Sequence, residues 1–384
     1  MLTERELEKM ISRTLHRLDT LNTVYIKRIA EQIKRIGTLT PSSVNRMVEM
    51  AAMAADVKEI NDLLAVDTGL NVQDIKVIYS EIAENTYKDP RFAQYIKENP
   101  VPQEAKDRVA RYTMAVARQT GDKMQNLSNT TITSKAYQDA VDAAIMAVNS
   151  GVDDYKAATR DVVRKIGAAG MQVQYPSGFK KRLDSAVRQN IIDGANQIQQ
   201  NASLMIGEAL GYDAVELSAH ARSAPDHEPV QGRVFKLDQF ELMQGGYDFV
   251  DVDGNAYAGF RRPIGEWNCM HIAMSFDTRH SVRRYTDEEL VAFKATNQAG
   301  CDINGKHYTT YQAVQLMRRI ETAVRQQKDI AIAAQAAGDD TLRQECQKRI
   351  NSLAALYSQV YKAARVTPRK DRMSVEGFRA VKVK

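Results

Sequence analysis

The sequence predicts a mainly α-helical protein in which long helices and a C-terminal helical hairpin flank a small central α+β domain that is rich in β-strand. Two observations support this fold class. Apolar residues recur every three or four positions through most of the first 210 residues and again from 309 to 364, which is the period of an amphipathic helix. Between residues 213 and 285, short alternating segments are separated by glycine and aspartate, a pattern typical of strands and turns.

The N-terminal part is predicted to form a series of amphipathic helices. Thr3-Glu4-Arg5-Glu6 has the form of a capping box, and Gly37 is expected to end the first helix. Glycine and proline cluster between residues 167 and 178 and predict a boundary. The helix after this boundary carries asparagine and glutamine at positions expected to be exposed. The predicted helices span residues 3–37, 40–66, 71–87, 103–127, 134–149, 152–166 and 179–210.

The pattern of apolar and polar residues changes at residue 213. Val215, Leu217 and Ala219 alternate with polar neighbours and predict a half-buried strand, with further short strands over 233–235 and 247–252. Helix is expected to return at Thr286. Two long helices over 309–336 and 341–364 are joined by Gly338-Asp339-Asp340, which predicts an antiparallel helical hairpin.

These signals divide the chain into five parts. They are an N-terminal helical domain (1–170), a long connecting helix (171–212), a small α+β domain (213–285), a C-terminal helical hairpin (286–364) and a basic tail (365–384).

Composition narrows the class of protein. No apolar run approaches the roughly 18 residues needed to cross a bilayer, and the charged start of the chain does not resemble a signal peptide, so a protein made in the cytoplasm and free of membrane is expected. The three cysteines, Cys269, Cys301 and Cys346, are an odd number at irregular spacing, which argues against a disulfide framework.

The basic excess is concentrated at the C-terminal end. Residues 362–384 contain eight basic and two acidic residues, so they account for more than the whole net charge of +5. Such a segment favours phosphate contacts with double-stranded DNA, although a solvated or partner-ordered tail has the same composition. The candidate DNA-contacting residues are Lys362, Arg365, Arg369, Lys370, Arg372, Arg379, Lys382 and Lys384.

Residues 218–276 contain the residue types that could form a metal site. Cys269 and His271 are two positions apart, which places both side chains on one face if the segment is a strand. With His227, and with His220 from the preceding segment, they form a cysteine–histidine set of the kind that tetrahedral zinc accepts. Asp226 could act as a ligand or as a hydrogen-bond acceptor behind one.

Two other interpretations of this segment remain open. The imidazoles could belong to a hydrogen-bonded structural cluster that satisfies buried backbone groups. Alternatively, Cys269 could be a nucleophile with His227 or His220 as its base. The chain has no HExxH, P-loop or GxSxG motif to support an enzyme. Trp267 and Phe276 are expected in the apolar core of the small domain.

The same segment resembles a known family. Ser218-Ala219-His220-Ala221-Arg222, Asp226-His227, Gln231-Gly232-Arg233-Val234-Phe235 and Trp267-Asn268-Cys269-Met270-His271 resemble the phage minor capsid protein 2 family, which is similar in turn to the Mu F-like head-morphogenesis domain. The motif residues that carry the likeness, apart from the candidate zinc ligands, are Ser218, Arg222, Asp226, Gln231, Gly232, Trp267 and Asn268.

The resemblance implies a minor capsid protein of a tailed bacteriophage, located in the virion and oligomeric there. It implies association with the portal protein and with major capsid or scaffold proteins during head assembly, and contact with packaged DNA. It also favours a zinc site at His227, Cys269 and His271. The alternative function is a metal- or cysteine-dependent hydrolase that is packaged in the virion and acts at genome entry.

Overall fold

The mainly α fold class is confirmed. The computed structural model describes residues 4–38, 52–63, 72–88, 100–129, 131, 134–150, 154–267 and 269–383. Within these residues no helix combines the length and the apolar character that crossing a membrane requires.

Among the described residues, five helices with defined bounds precede residue 170. The first ends one residue before Gly37, as predicted, and residues 52–63 are also helical, whereas the predicted helix start near residue 40 lies outside the described residues. Asp154 caps the fifth helix by accepting a hydrogen bond from the backbone N–H of Ala157. The five are α1 (Glu4–Ile36), α2 (Val72–Tyr87), α3 (Gln103–Asn129), α4 (Ser134–Asn149) and α5 (Tyr155–Ala169).

Gly167 lies inside α5 and is not part of a boundary, contrary to the prediction. A Cβ added at Gly167 would lie 2.5 Å from Ile330 Cα, so the missing side chain lets α5 cross the helix that carries Ile330 at close range. The chain then forms a β-hairpin, β1 (Gln172–Gln174) and β2 (Lys180–Arg182), where helix was predicted from residue 179. The connecting helix α6 (Leu183–Ala209) therefore starts four residues late.

None of the asparagine and glutamine side chains of α6 is exposed, which corrects a second prediction. Asn196, Gln199 and Gln200 are all less than 8% exposed. One face of α6 packs in the main apolar core, and the residues from Asn196 onward meet the central domain. Because side chains on both faces are covered, periodicity alone could not assign their exposure.

The central domain is built on a three-stranded antiparallel sheet in the order β4 (Val234–Lys236), β3 (Ala214–Leu217), β7 (Ala273–Phe276). The strand predicted around Val215 and Leu217 is present as β3, but all four of its residues are buried, so the prediction that it is half-buried is wrong. The strand is central, with α6 against β7 and the short helix α7 (Leu237–Gln244) against β3. Two further strands, β5 (Phe249–Val250) and β6 (Ala256–Tyr257), form a separate two-stranded ribbon.

The C-terminal hairpin follows the predicted turns closely. Thr286 begins α8 (Asp287–Ala299) with a complete capping box, and the β-hairpin β8 (Cys301–Ile303) and β9 (Lys306–Tyr308) leads to the first long helix. The two long helices, α9 (Thr310–Ala337) and α10 (Asp340–Ala363), are separated by Gly338 in the left-handed conformation, which suits a helix C-terminus.

The main apolar core joins distant parts of the chain. It includes residues of α1 to α6 together with Ile330 of α9, Leu342 of α10 and Val375 of the C-terminal segment. The central domain has its own core around Phe235 and Cys269. The five-part division of the chain stays a prediction, but the turn end of the hairpin shares its core with the N-terminal helices.

A buried ionic network also links these parts. Arg182 of β2 donates to Asp329 of α9 at 2.6 Å and to Asp184 at 3.3 Å. Arg325 of α9 pairs with Asp184 and donates to Asp19 of α1 at 3.2 Å. All five side chains are at most 20% exposed, and Asp329 is fully buried. The network therefore connects α1, α6, α9 and the β1–β2 hairpin.

The C-terminal segment after α10 folds back over the helices. The backbone N–H of Glu376 donates to Asp19 at 2.6 Å, Thr23 donates to the carbonyl of Glu376 at 2.9 Å, and Val375 is buried. Lys370–Met373 forms one turn of 3₁₀ helix against α9. The predicted basic tail is thus attached to α1 and α9 over its first half.

Candidate metal centre

Three of the predicted ligands meet inside the central domain. His227 lies in the turns that follow Ala224, Cys269 follows a turn closed by its N–H to the carbonyl of Glu266, and His271 comes two residues before β7. Cys269 and His271 are therefore on a loop, so the condition under which their spacing would place them on one face of a strand is not met. The structure places one nitrogen or sulfur of each within 4.8 Å of the others, and all three residues are at most 2% exposed.

The atoms are arranged around the cysteine sulfur. Cys269 Sγ lies 3.2 Å from His227 Nδ1 and 3.6 Å from His271 Nδ1. In a tetrahedral zinc site with ordinary Zn–S and Zn–N bonds, sulfur and nitrogen ligands are about 3.6 Å apart. The separation to His271 equals this value and the separation to His227 is shorter, so the three atoms are close enough together to share one zinc ion.

Hydrogen bonds orient both imidazoles. His227 Nε2 lies 2.8 Å from the carbonyl oxygen of Arg262, and His271 Nε2 lies 3.2 Å from Gln231 Oε1. If each Nε2 carries the proton and donates to its oxygen, both Nδ1 lone pairs face the sulfur. Metal-bound histidines are commonly held by this kind of second hydrogen bond.

Burial sets the protonation of the cluster. It lowers the pKa of His227 and lowers that of His271 well below the ordinary histidine value, so both rings are neutral at neutral pH. Burial also raises the pKa of the Cys269 thiol. Neutral imidazoles are ready ligands, whereas the thiol would lose its proton on binding a metal.

Arg262 is a cation that contacts the cluster. It donates to Asp226 Oδ1 at 2.6 Å and lies 3.5 Å from His227 Nδ1. A metal ion on that nitrogen would require this long contact to give way, while the bond to Asp226 could hold the guanidinium aside. Asp226 thus contacts Arg262 and, at 3.8 Å, His227 Nε2. This is the ring nitrogen that does not face the cysteine sulfur, so Asp226 lies outside the set of candidate ligands.

His220 lies beside the cluster but outside the ligand set. Its ring stacks on that of His271 with centroids 4.5 Å apart, and its Nδ1 accepts a hydrogen bond from the backbone N–H of Arg222. Gln231 accepts from the backbone N–H of His220 as well as contacting His271, so it holds the two histidine segments together.

The other motif residues have structural contacts. Ser218 Oγ accepts from the N–H of Ile272, which joins the ends of β3 and β7. Gly232 has φ +69°, and an added Cβ would lie 2.4 Å from Leu290 of α8, so only glycine fits there. Asn268 lies outside the described residues.

Trp267 is exposed, although the sequence predicted a core position. Its side chain is 55% exposed and its φ is +51°, a left-handed conformation that is rare for a bulky residue. The turn that delivers Cys269 to the histidines turns the indole outward. Phe276, by contrast, is buried as predicted.

Residues of α6 that the sequence did not single out attach this loop to the helical body. Asn196 Nδ2 donates to the carbonyls of Cys269 and Gly265 at 3.2 and 3.3 Å, and Gln200 Oε1 accepts from the N–H of Ala273. The asparagine- and glutamine-rich composition of α6 was the available signal. Asparagine and glutamine on a helix ordinarily indicate a solvent-exposed face, and no local pattern shows that the central domain packs against these side chains.

The candidate DNA-contacting residues differ in exposure. Arg369 and Arg372 are only 19% and 13% exposed, and Arg372 lies 3.7 Å from the buried Glu321. Lys384 lies outside the described residues. The exposed members are Lys362, Arg365, Lys370, Arg379 and Lys382.

Comparison with known families gives one match over nearly the whole chain. A family model described as phage minor capsid protein 2 matches residues 2–357. Neither the curated proteins nor the solved structures contain a match.

Proposed function

The chain belongs to the phage minor capsid protein 2 family, and we propose that it associates with the portal protein and the capsid interior of a tailed-phage head during assembly. The coarse role follows from the family: it is a structural protein of a bacteriophage virion. The observation that supports the finer proposal is the extent of the match, because residues 2–357 include the helical body, the central domain and the hairpin. The whole framework is therefore that of a capsid component.

The first prediction concerns the portal. When the full chain is co-expressed with the portal protein of the same phage, the two should co-purify and co-sediment, because a portal-associated head protein must recognise that surface. A portal protein from an unrelated phage serves as the control. If the chain binds neither its own portal nor the cognate major capsid or scaffold protein, the proposal is wrong.

We further propose that His227, Cys269 and His271 hold a zinc ion with a structural role. Zinc bound there would supply a strong cross-link between the turn at 224–232 and the loop before β7. Three protein ligands leave one tetrahedral position open, as at catalytic zinc sites. However, all three side chains are buried, and the loop they close is bound to Asn196 of α6. Burial and this attachment favour a structural cross-link.

The hydrolase alternative has less support. A cysteine nucleophile acts as a thiolate that substrate can reach, and activated cysteines have a lowered pKa. Cys269 is 2% exposed, and burial raises its pKa. Its accessibility and its protonation both oppose nucleophilic attack in this conformation.

We also propose that the exposed cations near the end of α10 contact packaged DNA. Lys362, Arg365 and Lys370 are exposed, and none has an ion pair within the described residues. Phosphate contacts by such groups do not depend on base sequence and weaken with salt.

The second prediction tests this contact. Replacing Lys362, Arg365 and Lys370 together by glutamine should weaken binding to duplex DNA and reduce the slope of log K against log salt by up to about 2.7, since each phosphate contact contributes about 0.9. Binding would be measured by fluorescence anisotropy over a salt series. The control replaces three exposed cations of α3, Lys106, Arg118 and Lys123, by glutamine. Equal slopes for the triple variant and the wild type would contradict the proposal.

A further inference from the structure

The surface formed by residues 237–260, here called the acidic ribbon, carries one sign of charge. It comprises α7, β5, β6 and their connections, and it contains five acidic residues and no lysine or arginine. The chain as a whole has a net charge of +5, so this concentration is unusual for it. Asp238, Glu241, Asp248 and Asp253 are exposed. Duplex DNA would be repelled from this surface.

The fifth acidic residue has an internal role. Asp251 Oδ1 accepts from the backbone N–H groups of Asp253 and Asn255, and its Oδ2 accepts from the Asn255 amide and the Tyr257 hydroxyl. Both oxygens are thus occupied in holding the β5–β6 connection. Asp251 shapes the ribbon, and the other four acidic residues face outward.

The acidic ribbon also exposes apolar side chains. Five of its large hydrophobic side chains are between 37% and 66% exposed: Leu237, Leu242, Tyr247, Val250 and Val252. An open groove of about 340 Å³ is lined by residues of β5 and β6 together with Gln239 and Asp248. Within the described sheets β5 and β6 pair only with each other. On the outer side of β5, the N–H groups of Val250 and Val252 donate to Gln239 Oε1 and to the carbonyl of Val234, so the open outer edge is that of β6. Exposed apolar patches of this kind mark protein interfaces, and strand edges accept extended segments.

The C-terminal residues of the chain have the complementary pattern. From Arg379 to Lys384 the sequence carries three cations and no acid, and Val381 and Val383 alternate with Lys382 and Lys384. Alternation of this kind suits a strand that places apolar residues on one face and cations on the other. We propose that this segment of one copy adds as a strand to the acidic ribbon of another copy.

The position of the segment in its own chain is compatible with exchange. Val375 and Glu376 attach the chain to α1, and Gly377, with φ +75°, redirects it. Beyond this point, α10 provides two side-chain hydrogen bonds: Arg343 donates to the carbonyl of Arg379, and Gln347 accepts from the N–H of Val381. Residues 379–383 have no strand partner among the described residues. Pairing with a ribbon would replace side-chain contacts with backbone hydrogen bonds.

The third prediction uses charge reversal in the full chain. The tail variant carries Arg379→Glu and Lys382→Glu, and the ribbon variant carries Glu241→Lys and Asp253→Lys. Wild-type protein should self-associate at low salt and dissociate at high salt, because the contact is between opposite charges. Each variant alone should raise the dissociation constant at least about tenfold, a loss of about 1.4 kcal/mol. Sedimentation equilibrium measures the dissociation constant of each protein and its dependence on salt.

A mixture of the two variants tests directly whether the tail and the ribbon contact each other. The reversed tail carries the sign that the reversed ribbon attracts, and the two unreversed surfaces also match, so mixing should restore association. Circular dichroism checks that each variant is folded. Lys106→Glu with Lys123→Glu on α3 controls for net charge and should associate like wild type. A wild type that stays monomeric at low salt, variants that associate normally, or a mixture that fails to recover would each overturn the proposal.

Discussion

Replacing Arg182 by methionine is expected to lower the free energy of unfolding by about 3–5 kcal/mol, the range for breaking a buried ion pair by removing one partner. Arg182 lies between two buried carboxylates and donates to both Asp184 and Asp329. Without it, Arg325 is left to compensate Asp184 and Asp19, and the buried Asp329 loses the guanidinium that donates to it. Denaturation by urea, followed by circular dichroism, would measure the loss.

A matched control is available on the surface. Arg233 donates to Asp287 at 2.7 Å, but Asp287 is 62% exposed, so Arg233→Met should cost no more than about 1 kcal/mol. If Arg182→Met costs as little as this control, the buried network does not contribute to stability as the structure indicates.

The loss in the Arg182 variant should also depend on pH. Burial raises the pKa of Asp329 to about 6, although Arg182 opposes the shift. An acid with a raised pKa in the folded state takes up a proton there first, so folding becomes relatively more favourable as the pH falls through that value. Without Arg182 the pKa should rise further. The variant should therefore lose less stability relative to wild type at pH 5.5 than at pH 8.

The second large effect is expected at the histidine–cysteine cluster. Cys269→Ser should remove about one equivalent of zinc per chain and loosen the central domain. With zinc present at 1,000 times its dissociation constant, the lost stabilisation is about 4 kcal/mol. A chelator added to wild-type protein should produce the same loss without any mutation. Zinc content by elemental analysis and thermal unfolding with and without chelator would measure both effects.

The chain supplies a control with the same chemical change. Cys346 in α10 is also 2% exposed, but it lies in the main core and outside the cluster. Cys346→Ser places a hydroxyl in an apolar site and should reduce stability without changing zinc content or chelator sensitivity. Trp267, the single tryptophan, lies two residues from Cys269 and provides a local fluorescence signal. If Cys269→Ser, like Cys346→Ser, changes neither zinc content nor chelator sensitivity, the cluster does not bind zinc and is held by hydrogen bonds alone.

The buried network, the cluster and the acidic ribbon lie in different parts of the molecule. The first links the helices to the hairpin, the second links two segments of the central domain beside α6, and the third faces outward. Assembly requires a rigid body and an accessible surface. On the proposals above, the two buried features would hold the body rigid, and the acidic ribbon and the exposed cations near the end of α10 would offer surfaces to partners.

The composition of the candidate metal centre was predictable, but its arrangement was not. His227, Cys269 and His271 stood out because the segment holds three of the six histidines and one of the three cysteines of the chain, and the resemblance to the family supported them. The common face of Cys269 and His271 depended on the segment being a strand, and the structure places both residues on a loop. The contacts of His271 with Gln231, and of the loop with Asn196 of α6, join residues 40 or more positions apart, so no local pattern could reveal them.

What the sequence determined by itself was the overall class and those helix ends that local caps specify. The caps at Thr286, Thr309 and Gly338 involve groups within a few residues of each other, so the local sequence is sufficient to specify them. Only the tertiary structure decided which polar side chains are buried and which aromatic residue is exposed. Asn196 is buried and Trp267 exposed because burial depends on what packs against a residue from elsewhere in the chain.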